Sequence, residues 1–239
     1  MPAMRPCFLS GVFAAVFVTS SSLSFGEIKV AMDRNSNDDA NEDFIFRNVP
    51  SPSGRDAAAK AVFTIVDGER DGNGGDVKVL NDDKLPEEGD QPSANFFLRP
   101  AKDGGRLLVD LGAAIDVKQI NTYSWHPGAR GPQVYRLYGS DGKTTGFDAR
   151  PGKGTNPEKC GWKVIAGVDT RSKGDKPGGQ YGAGISSPGG VIGKYRYLLF
   201  CILRTDDAEN FSDTFYSEID VIDGNAPTPA VLKPSAAQQ

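Results

Sequence analysis

The sequence predicts an all-β protein, an antiparallel β-sandwich or jelly roll. Its 239 residues include 29 glycines and 16 prolines, and these residues disfavour the interior of an α-helix by roughly 1 and 3 kcal/mol. No stretch of about 12 residues carries a clean apolar stripe at the i, i+3, i+4 spacing of an amphipathic helix. Short apolar runs instead alternate with turn dipeptides such as Asp141-Gly142 and Asp223-Gly224, a pattern typical of strands joined by tight turns.

The predicted strands follow one another along the middle of the chain. The stretch from 57 to 66 fits a short helix or a strand, and Val62, Phe63 and Ile65 favour the strand because β-branched and aromatic residues are enriched there. The strands predicted after it are 107–111, 117–125, 133–138, 162–168, 195–203 and 215–222.

Residues 1–26 are predicted to be a secretory signal peptide. Arg5 precedes a short uncharged apolar run from Phe8 to Val18, and Ser24-Phe25-Gly26 fits a small-x-small cleavage rule. The run is too short to cross a hydrocarbon core of roughly 30 Å as a helix, and an uncleaved N-terminal anchor is the alternative. The chain is therefore expected to be secreted, into the extracellular space or the periplasm.

Two further segments are predicted to lie outside the main domain, which spans 60–223. Residues 27–59 have a mixed composition and are interpreted as an N-terminal extension. Residues 224–239 are rich in proline and alanine, and we expect a disordered C-terminal tail because such a segment cannot bury enough apolar surface to fold.

Charge and residue counts argue against several classes of function. A formal net charge of -4 argues against a nucleic-acid-binding surface. The single histidine excludes a site that needs two imidazoles, and three cysteines cannot form an all-thiolate tetrahedral zinc site. The sequence contains no G-x-S-x-G, H-E-x-x-H or P-loop motif, so we expect that the protein is not an enzyme.

Cys160 and Cys201 are the two cysteines that remain once the signal peptide is removed. In an oxidising compartment a disulfide between them would contribute about 4 kcal/mol in the chain-entropy model. Cys201 lies in an apolar run, which favours the alternative of two separate buried thiols. The sequence leaves both possibilities open.

Six short motifs follow one another in order between residues 60 and 223. They are Asp110-Leu-Gly112, an I-x-x-Y strand ending at Trp125-His126, Tyr135-Arg-Leu-Tyr-Gly-Ser-Asp-Gly142, Trp162-Lys-Val-Ile-Ala166, Lys194-Tyr-Arg-Tyr-Leu-Leu-Phe200 and Ser217-Glu-Ile-Asp-Val221. Together they resemble the discoidin-like domain, also called the coagulation-factor type C domain, of the galactose-binding-like superfamily. The resemblance implies a galactose-binding-like β-sandwich that acts as a binding module. The chain departs from that family in a long insertion between Gly142 and Trp162 and in lacking the usual cysteine pair that joins the two ends of the domain.

The resemblance also implies a structural Ca²⁺ ion. The family carries a calcium loop before the D-L-G strand, where this chain has the stretch 80–85, and the family's late glutamate matches Glu218. Asp82, Asp83 and Glu218, together with backbone carbonyls, would supply the roughly six to eight oxygens that Ca²⁺ takes. The alternative is that these acids are solvated surface residues.

The loop 123–133 is the predicted ligand-binding loop, since it falls where related carbohydrate-binding modules place ligand-contacting loops. Sugar recognition uses an aromatic face for the C–H side of the ring and planar polar groups for the hydroxyls. The residues predicted to do this are Trp125, His126, Arg130 and Gln133, completed by Tyr181 and Phe211 from other loops. Alternatively, Trp125 belongs to the core and His126 hydrogen-bonds a backbone carbonyl to hold the loop.

The function expected from these observations is that of a secreted, non-catalytic module that binds carbohydrate or another polar cell-surface ligand through loops at one end of a β-sandwich. One alternative is an extracellular structural or adhesion protein that contacts protein partners. A glycan-acting hydrolase is a further alternative, because the separation of paired carboxylates cannot be seen in a sequence. A fold of this kind serves many functions, so it does not name the ligand. No nucleic-acid partner and no transmembrane span are expected.

Overall fold

A computed structural model describes residues 27–100, 104–172, 177–206 and 211–226. The predicted signal peptide and most of the predicted tail, residues 227–239, lie outside these ranges. The described strands are β1 (Lys29–Asn35), β2 (Val62–Asp67), β3 (Gly105–His126), β4 (Val134–Ser140), β5 (Lys163–Asp169), β6 (Gly179–Ser186), β7 (Gly193–Ile202) and β8 (Tyr216–Asp223). The helical segments within the same ranges are 3-10 turns, Ala57–Lys60, Val77–Leu80, Pro92–Ala94 and Pro157–Cys160. None of the described helices is long and apolar enough to cross a membrane.

All strand pairings are antiparallel, and β3 is the strand on which the sandwich is built. Its first half, 105–110, pairs with β2 and β7, and its second half, 119–126, pairs with β6 and β8. A shift in register follows Asp110, where Gly112 has a φ of +79° that suits glycine. The strand therefore passes from one layer to the other, with β4 and β5 beyond β7 and β1 beyond β6. The two strands predicted at 107–111 and 117–125 are two halves of this one strand, and the predicted all-β sandwich is confirmed.

The main core lies between the two layers. It is built from side chains that recur at every second position along the strands, as expected for strands with one face buried. Leu107 and Val109 of β3 and Leu198 and Phe200 of β7 are at most 1% exposed. The other layer contributes Ile120, Ile185, Ile219 and Val221 to the same cluster. Burying an aliphatic or aromatic side chain of this size stabilises the fold by roughly 1.5–3 kcal/mol.

The segment 27–59, interpreted as an extension from its composition, contributes an edge strand to the sandwich. Strand β1 pairs with β6 along its whole length. Behind it, Phe44 and Val49 pack against Tyr123 and Trp125 in a second core cluster. The sheet therefore includes residues well before position 60.

The insertion after β4 covers the outer face of the sheet at β3 and β7. Trp162 is 2% exposed, and its indole N–H donates to the Asp148 carbonyl oxygen at 2.8 Å. The ring of Phe147 packs 5.3 Å from the Trp162 ring, centre to centre. Cys160 and Cys201 lie at the border of this cluster, and both thiols are free.

Arg106 of β3 ties the insertion to the sheet. Its guanidinium donates hydrogen bonds to the carbonyl oxygens of Pro151, Gly152 and Thr155 at 2.7–2.9 Å. A guanidinium carries several fixed donors, so a single arginine satisfies three carbonyl groups of a loop that has little regular structure of its own.

Candidate functional site

An exposed phenylalanine and a buried arginine mark one end of the sandwich. Phe211 is 68% exposed, and the Arg130 guanidinium carbon lies 5.1 Å from the centre of its ring. The same carbon lies 4.8 Å from the ring centres of Phe97 and Phe215, which stack on each other at 4.2 Å. One cation is thus surrounded by three aromatic rings, of which one faces solvent. These four residues and His126 are called the aromatic site below.

Hydrogen bonds between two chain segments hold the aromatic site in shape. The Phe215 backbone N–H donates to the Arg130 carbonyl oxygen at 2.9 Å, and the Thr214 hydroxyl donates to the Pro132 carbonyl oxygen at 2.6 Å. The Thr205 hydroxyl donates to the Ala129 carbonyl oxygen at 2.7 Å. The loop after β3 and the segment before β8 therefore form one unit.

His126 presents a hydrogen-bond donor next to the arginine. Its Nδ1 accepts the Gly128 backbone N–H at 2.9 Å, and its ring contacts Phe215 edge-on at 4.8 Å. Burial lowers the pKa of His126 below its ordinary value of 6.5, so the imidazole is neutral at pH 7 and Nε2 carries the proton. Nε2 lies 3.9 Å from Asp90 Oδ1. The ring therefore accepts a backbone N–H at Nδ1, and the predicted alternative had it bound to a backbone carbonyl; Nε2–H stays available to a ligand.

Asp213 is an acidic residue of this region that no motif in the sequence indicates. It is 4% exposed, and its Oδ2 is buried without a hydrogen-bond partner among the described residues. Burial raises the pKa of Asp213 to about 6, and the charges of Arg204 and Arg130 act in the opposite direction. Arg130 Nε is likewise buried without a hydrogen bond within the described ranges. Buried polar atoms normally have hydrogen-bond partners. Two buried atoms without one, Asp213 Oδ2 and Arg130 Nε, therefore distinguish the aromatic site from an ordinary protein core.

Three of the residues predicted to bind ligand are buried and lie outside the aromatic site. Trp125 is 8% exposed and packs edge-on against Phe44, with ring centres 5.8 Å apart. Gln133 is fully buried, and its side-chain amide donates to Ser124 Oγ at 3.0 Å. Tyr181 is 1% exposed. Arg130 is 8% exposed as well, and its guanidinium lies beside the exposed Phe211 and beside Phe215, which His126 contacts.

Of the three predicted calcium residues, Glu218 lies on β8 and has a buried carboxyl. Glu218 is 2% exposed, and its Oε2 has no hydrogen-bond partner among the described residues. Burial, followed by the charges of Asp220, Asp56, Asp82 and Asp83, raises the pKa of Glu218 to about 9. Asp56 and Asp220 belong to this acidic group although the sequence did not indicate them.

Glu218 and the four aspartates whose charges act on it, which we call the acidic group, were compared with the requirements of a metal site. Within the described ranges, no three His, Cys, Asp or Glu side chains are arranged to hold a metal by themselves. An unpartnered buried carboxylate oxygen surrounded by further carboxylates nevertheless suits a hard cation that also takes backbone carbonyls. Asp83 has a φ of +59°, and an added Cβ at Gly54 would clash with the Asp83 side chain, so the backbone near residue 54 lies close against the predicted loop.

No protein-family model matches the chain, and a search of curated proteins returns no match. Solved structures do resemble it. A family 32 carbohydrate-binding module of Clostridium perfringens NanJ, in complex with galactose, is 10% identical with a TM-score of 0.43, over 69% of this chain and 95% of that chain. The lectin-binding domain of lectinolysin, a mutant in complex with Lewis b, is 14% identical with a TM-score of 0.44, over 72% and 97%.

A glycoside hydrolase is also among the similar structures. The family 89 enzyme of Clostridium perfringens is 13% identical with a TM-score of 0.41, and the match covers 70% of this chain but 14% of the enzyme. All of these are likenesses of fold.

Proposed function

We propose that the protein is a non-catalytic module that binds carbohydrate at the aromatic site. The observation that carries the proposal is the position of Phe211, whose exposed ring lies beside the Arg130 guanidinium. His126 contacts Phe215, which lies against the same guanidinium. An aromatic ring packs against the C–H face of a sugar, while guanidinium and imidazole N–H groups donate to its hydroxyl oxygens.

The site also offers acceptors for sugar hydroxyl protons. Asp90 and Asp71 lie close enough for their charges to act on Arg130, and the Asp90 side chain is 68% exposed. A sugar hydroxyl both donates and accepts, so a surface that combines cationic donors with carboxylate acceptors beside an aromatic ring matches its chemistry. Recognition of this kind requires no bond to break, which is why we infer binding without turnover.

A glycan array followed by calorimetry tests the proposal. We expect the wild-type chain to bind a defined set of glycans, and Phe211→Ala and Arg130→Gln to lose that binding. Val62→Ala is the matched control, since Val62 is an exposed apolar side chain on β2 with 64% exposure, and we expect it to bind normally. An array without binding would contradict the proposal and favour a protein partner for the same surface. Turnover of a glycoside by the wild-type chain would revive the hydrolase alternative.

We also propose that Glu218, Asp82 and Asp83 hold a structural Ca²⁺ ion, with Asp56 and backbone carbonyls close by. The unpartnered Oε2 of Glu218 supports this. The ion would supply charge neutralisation and would link β8 to the loops at 50–56 and 80–85. A ligand at 100 times its dissociation constant stabilises the folded state by about 2.7 kcal/mol. We therefore expect Ca²⁺ to raise the melting temperature of the wild-type chain but not of Glu218→Gln, and an equal shift in both would contradict the proposal.

We further propose that the mature protein is secreted and meets its ligand at a cell surface. Support comes from the charge and apolar pattern of residues 1–26. Sequencing the N-terminus of the protein recovered from its native host tests this, and a mature chain that begins at residue 27 is expected. Recovery of the full-length chain from the cytoplasm would contradict it.

A further inference from the structure

A cavity of about 470 Å³ lies at the end of the sandwich opposite the aromatic site. The 3-10 turn Ala57–Lys60, the end of β8 with the residues after it, and Lys118 of β3 form its walls. Lys118 and His126 of the aromatic site are eight residues apart on the same strand, a distance of about 26 Å at the rise of a β-strand. The volume falls within the range of about 300–1,000 Å³ that is usual for small-molecule sites.

Hydrogen bonds hold the walls of this cavity in place. Asp56 Oδ1 accepts the backbone N–H groups of Ala58 at 2.6 Å and Val221 at 2.9 Å, which fixes the 3-10 turn to β8. The Gly224 backbone N–H donates to the Asp116 carbonyl oxygen at 2.6 Å, which fixes the residues after β8 to β3. The cavity is therefore formed before a ligand arrives, and binding does not have to order its walls.

Three cationic residues line the cavity. Arg55 and Lys60 flank the 3-10 turn, and Lys118 lies on β3. All three are exposed, and within the part of the chain that the structure describes their side chains make no hydrogen bond or ion pair. The two carboxylates of the lining do accept bonds from the chain itself, Asp56 as described above and Asp223 from the backbone N–H two residues further on, at 2.9 Å. The acids at this cavity therefore stabilise the fold, while the cations are available to a ligand.

The remaining lining includes small apolar side chains, among them Ala57, Ala59 and Ile222. A phosphate, sulfate or carboxylate accepts charge-assisted hydrogen bonds from lysine and arginine, and the carbon body attached to such a group packs against apolar side chains. The whole chain has a formal net charge of -4, so its overall field repels anions. A local group of cations is what makes the binding of an anion favourable at this position.

We propose that this cavity binds a small organic anion. Its phosphate, sulfate or carboxylate group meets Arg55, Lys60 and Lys118, and the attached body, about the size of a monosaccharide, packs against the apolar side chains of the wall. This site is separate from the aromatic site, so it does not depend on the binding of carbohydrate there.

Nuclear magnetic resonance of the backbone amides of the full chain tests this site. Glucose 6-phosphate, glucose 6-sulfate and glucuronate are the anionic probes, and glucose is the neutral probe. The buffer is freed of metal over a chelating resin, because Ca²⁺ at the neighbouring acidic group would attract anions by itself. We expect at least one anionic probe to shift the amide signals of 55–60, 118 and 222–224, and glucose to leave them unchanged. The probes that bind identify the anion. Affinity should fall as the salt concentration rises from about 0.1 M to about 1 M, because exposed charges are screened.

Three variants separate a ligand in the cavity from an anion attracted to the surface. The double variant Lys60→Gln/Lys118→Gln removes two of the three cations, and we expect it to bind about tenfold more weakly. Lys143→Gln makes the same change at an exposed lysine of the insertion and should bind as the wild type does. Ala59→Leu places a larger side chain in the lining without changing its charge, and it should also weaken binding.

Amide signals that do not move with any anionic probe would overturn the proposal. Equal affinities of the wild type and the lysine double variant, or an equal effect of glucose, would do the same. Unchanged binding by Ala59→Leu would contradict the place of the ligand in the cavity. The glycan array reports on the aromatic site, about 26 Å away along β3, so the failure of one proposal is distinguished from the failure of the other.

Discussion

Gly182 tests whether the segment before residue 60 is packed as the structure describes. An added Cβ at Gly182 of β6 would lie 2.9 Å from the Phe46 ring and 3.2 Å from Val49 Cγ1. We expect Gly182→Ala to destabilise the fold, because a contact this close forces the Phe46 ring to move within a packed cluster.

The size of the effect follows from the cost of overpacking. An extra methyl group in a packed region costs about 1–3 kcal/mol, and each kcal/mol lowers the melting temperature of a domain of this size by roughly 2–4 °C. Gly167→Ala on β5 is the matched control, since an added Cβ there has no heavy atom within 4 Å. A strand glycine replaced by alanine gains roughly 0.5–1 kcal/mol when no contact opposes it, so the control should melt at the same temperature or higher.

Urea unfolding of both variants, with Phe46→Ala and the Gly182→Ala/Phe46→Ala double variant, completes the test. Without the Phe46 ring the methyl group has room, so Gly182→Ala should cost little in the Phe46→Ala background. The coupling between the two sites is expected within the range of about 0.5–3 kcal/mol for residues in contact. Equal costs in both backgrounds, or equal effects of Gly182→Ala and Gly167→Ala, would refute the described packing.

Three further predictions concern other parts of the molecule. Arg106→Gln should make the insertion at 143–160 easier to cleave with protease, because three of its carbonyl groups lose their donor; unchanged proteolysis would contradict this. The pKa of Asp213 is raised to about 6, so its carboxyl should lower the free energy of unfolding by up to about 3 kcal/mol as pH rises from about 4 to 6. Glu218 and Asp220 add to the same slope, so the slope should be shallower in Asp213→Asn; urea titrations across that range measure it, and an equal slope in both proteins would contradict this. Cys160 and Cys201 should each react with a thiol reagent in the unfolded chain without prior reduction; a single mass corresponding to a closed disulfide would contradict this.

The strands that the sequence predicted are those whose own residues carry the pattern. Strand β4 alternates Tyr135 and Leu137 into the main core, and β8 does the same with Ile219 and Val221. Their predicted bounds, 133–138 and 215–222, differ from the observed ones by one or two residues. The local sequence is enough to predict a strand whose own apolar residues alternate into the core.

Strand β6 was not predicted because its residues are atypical of a strand and are chosen instead by the side chains that pack against it. Its sequence contains Gly182 and Gly184, and glycine is depleted in strands. Glycine is needed at position 182 because Phe46 and Val49, from the segment after β1, lie directly against the backbone there. Contact of this kind depends on residues more than 130 positions away in the chain, which no local pattern contains.

The candidate site was predicted only in part, because a sequence shows the chemistry of a side chain and does not show whether that side chain is buried. His126, Arg130 and Phe211 were identified from the chemistry of their side chains, and the structure places them together. Trp125 has an equally suitable side chain, yet it packs against Phe44 in the core. Asp213 was not predicted to belong to the site. It is distinctive because it is buried, and a single aspartate in a predicted loop gives no indication of burial.

Gln133, a buried residue of the predicted ligand set, helps to hold the loop that carries Arg130 in place. The Gln133 amide donates to Ser124 Oγ, and Ser124 in turn donates to the Gly131 carbonyl oxygen at 2.6 Å, inside the loop that carries Arg130. A loop held by interior hydrogen bonds loses little conformational freedom when a ligand binds, and ordering costs are a large part of what limits affinity. Replacing Gln133 by leucine should therefore weaken ligand binding without any contact to the ligand, because the loop then adopts its binding shape for only part of the time.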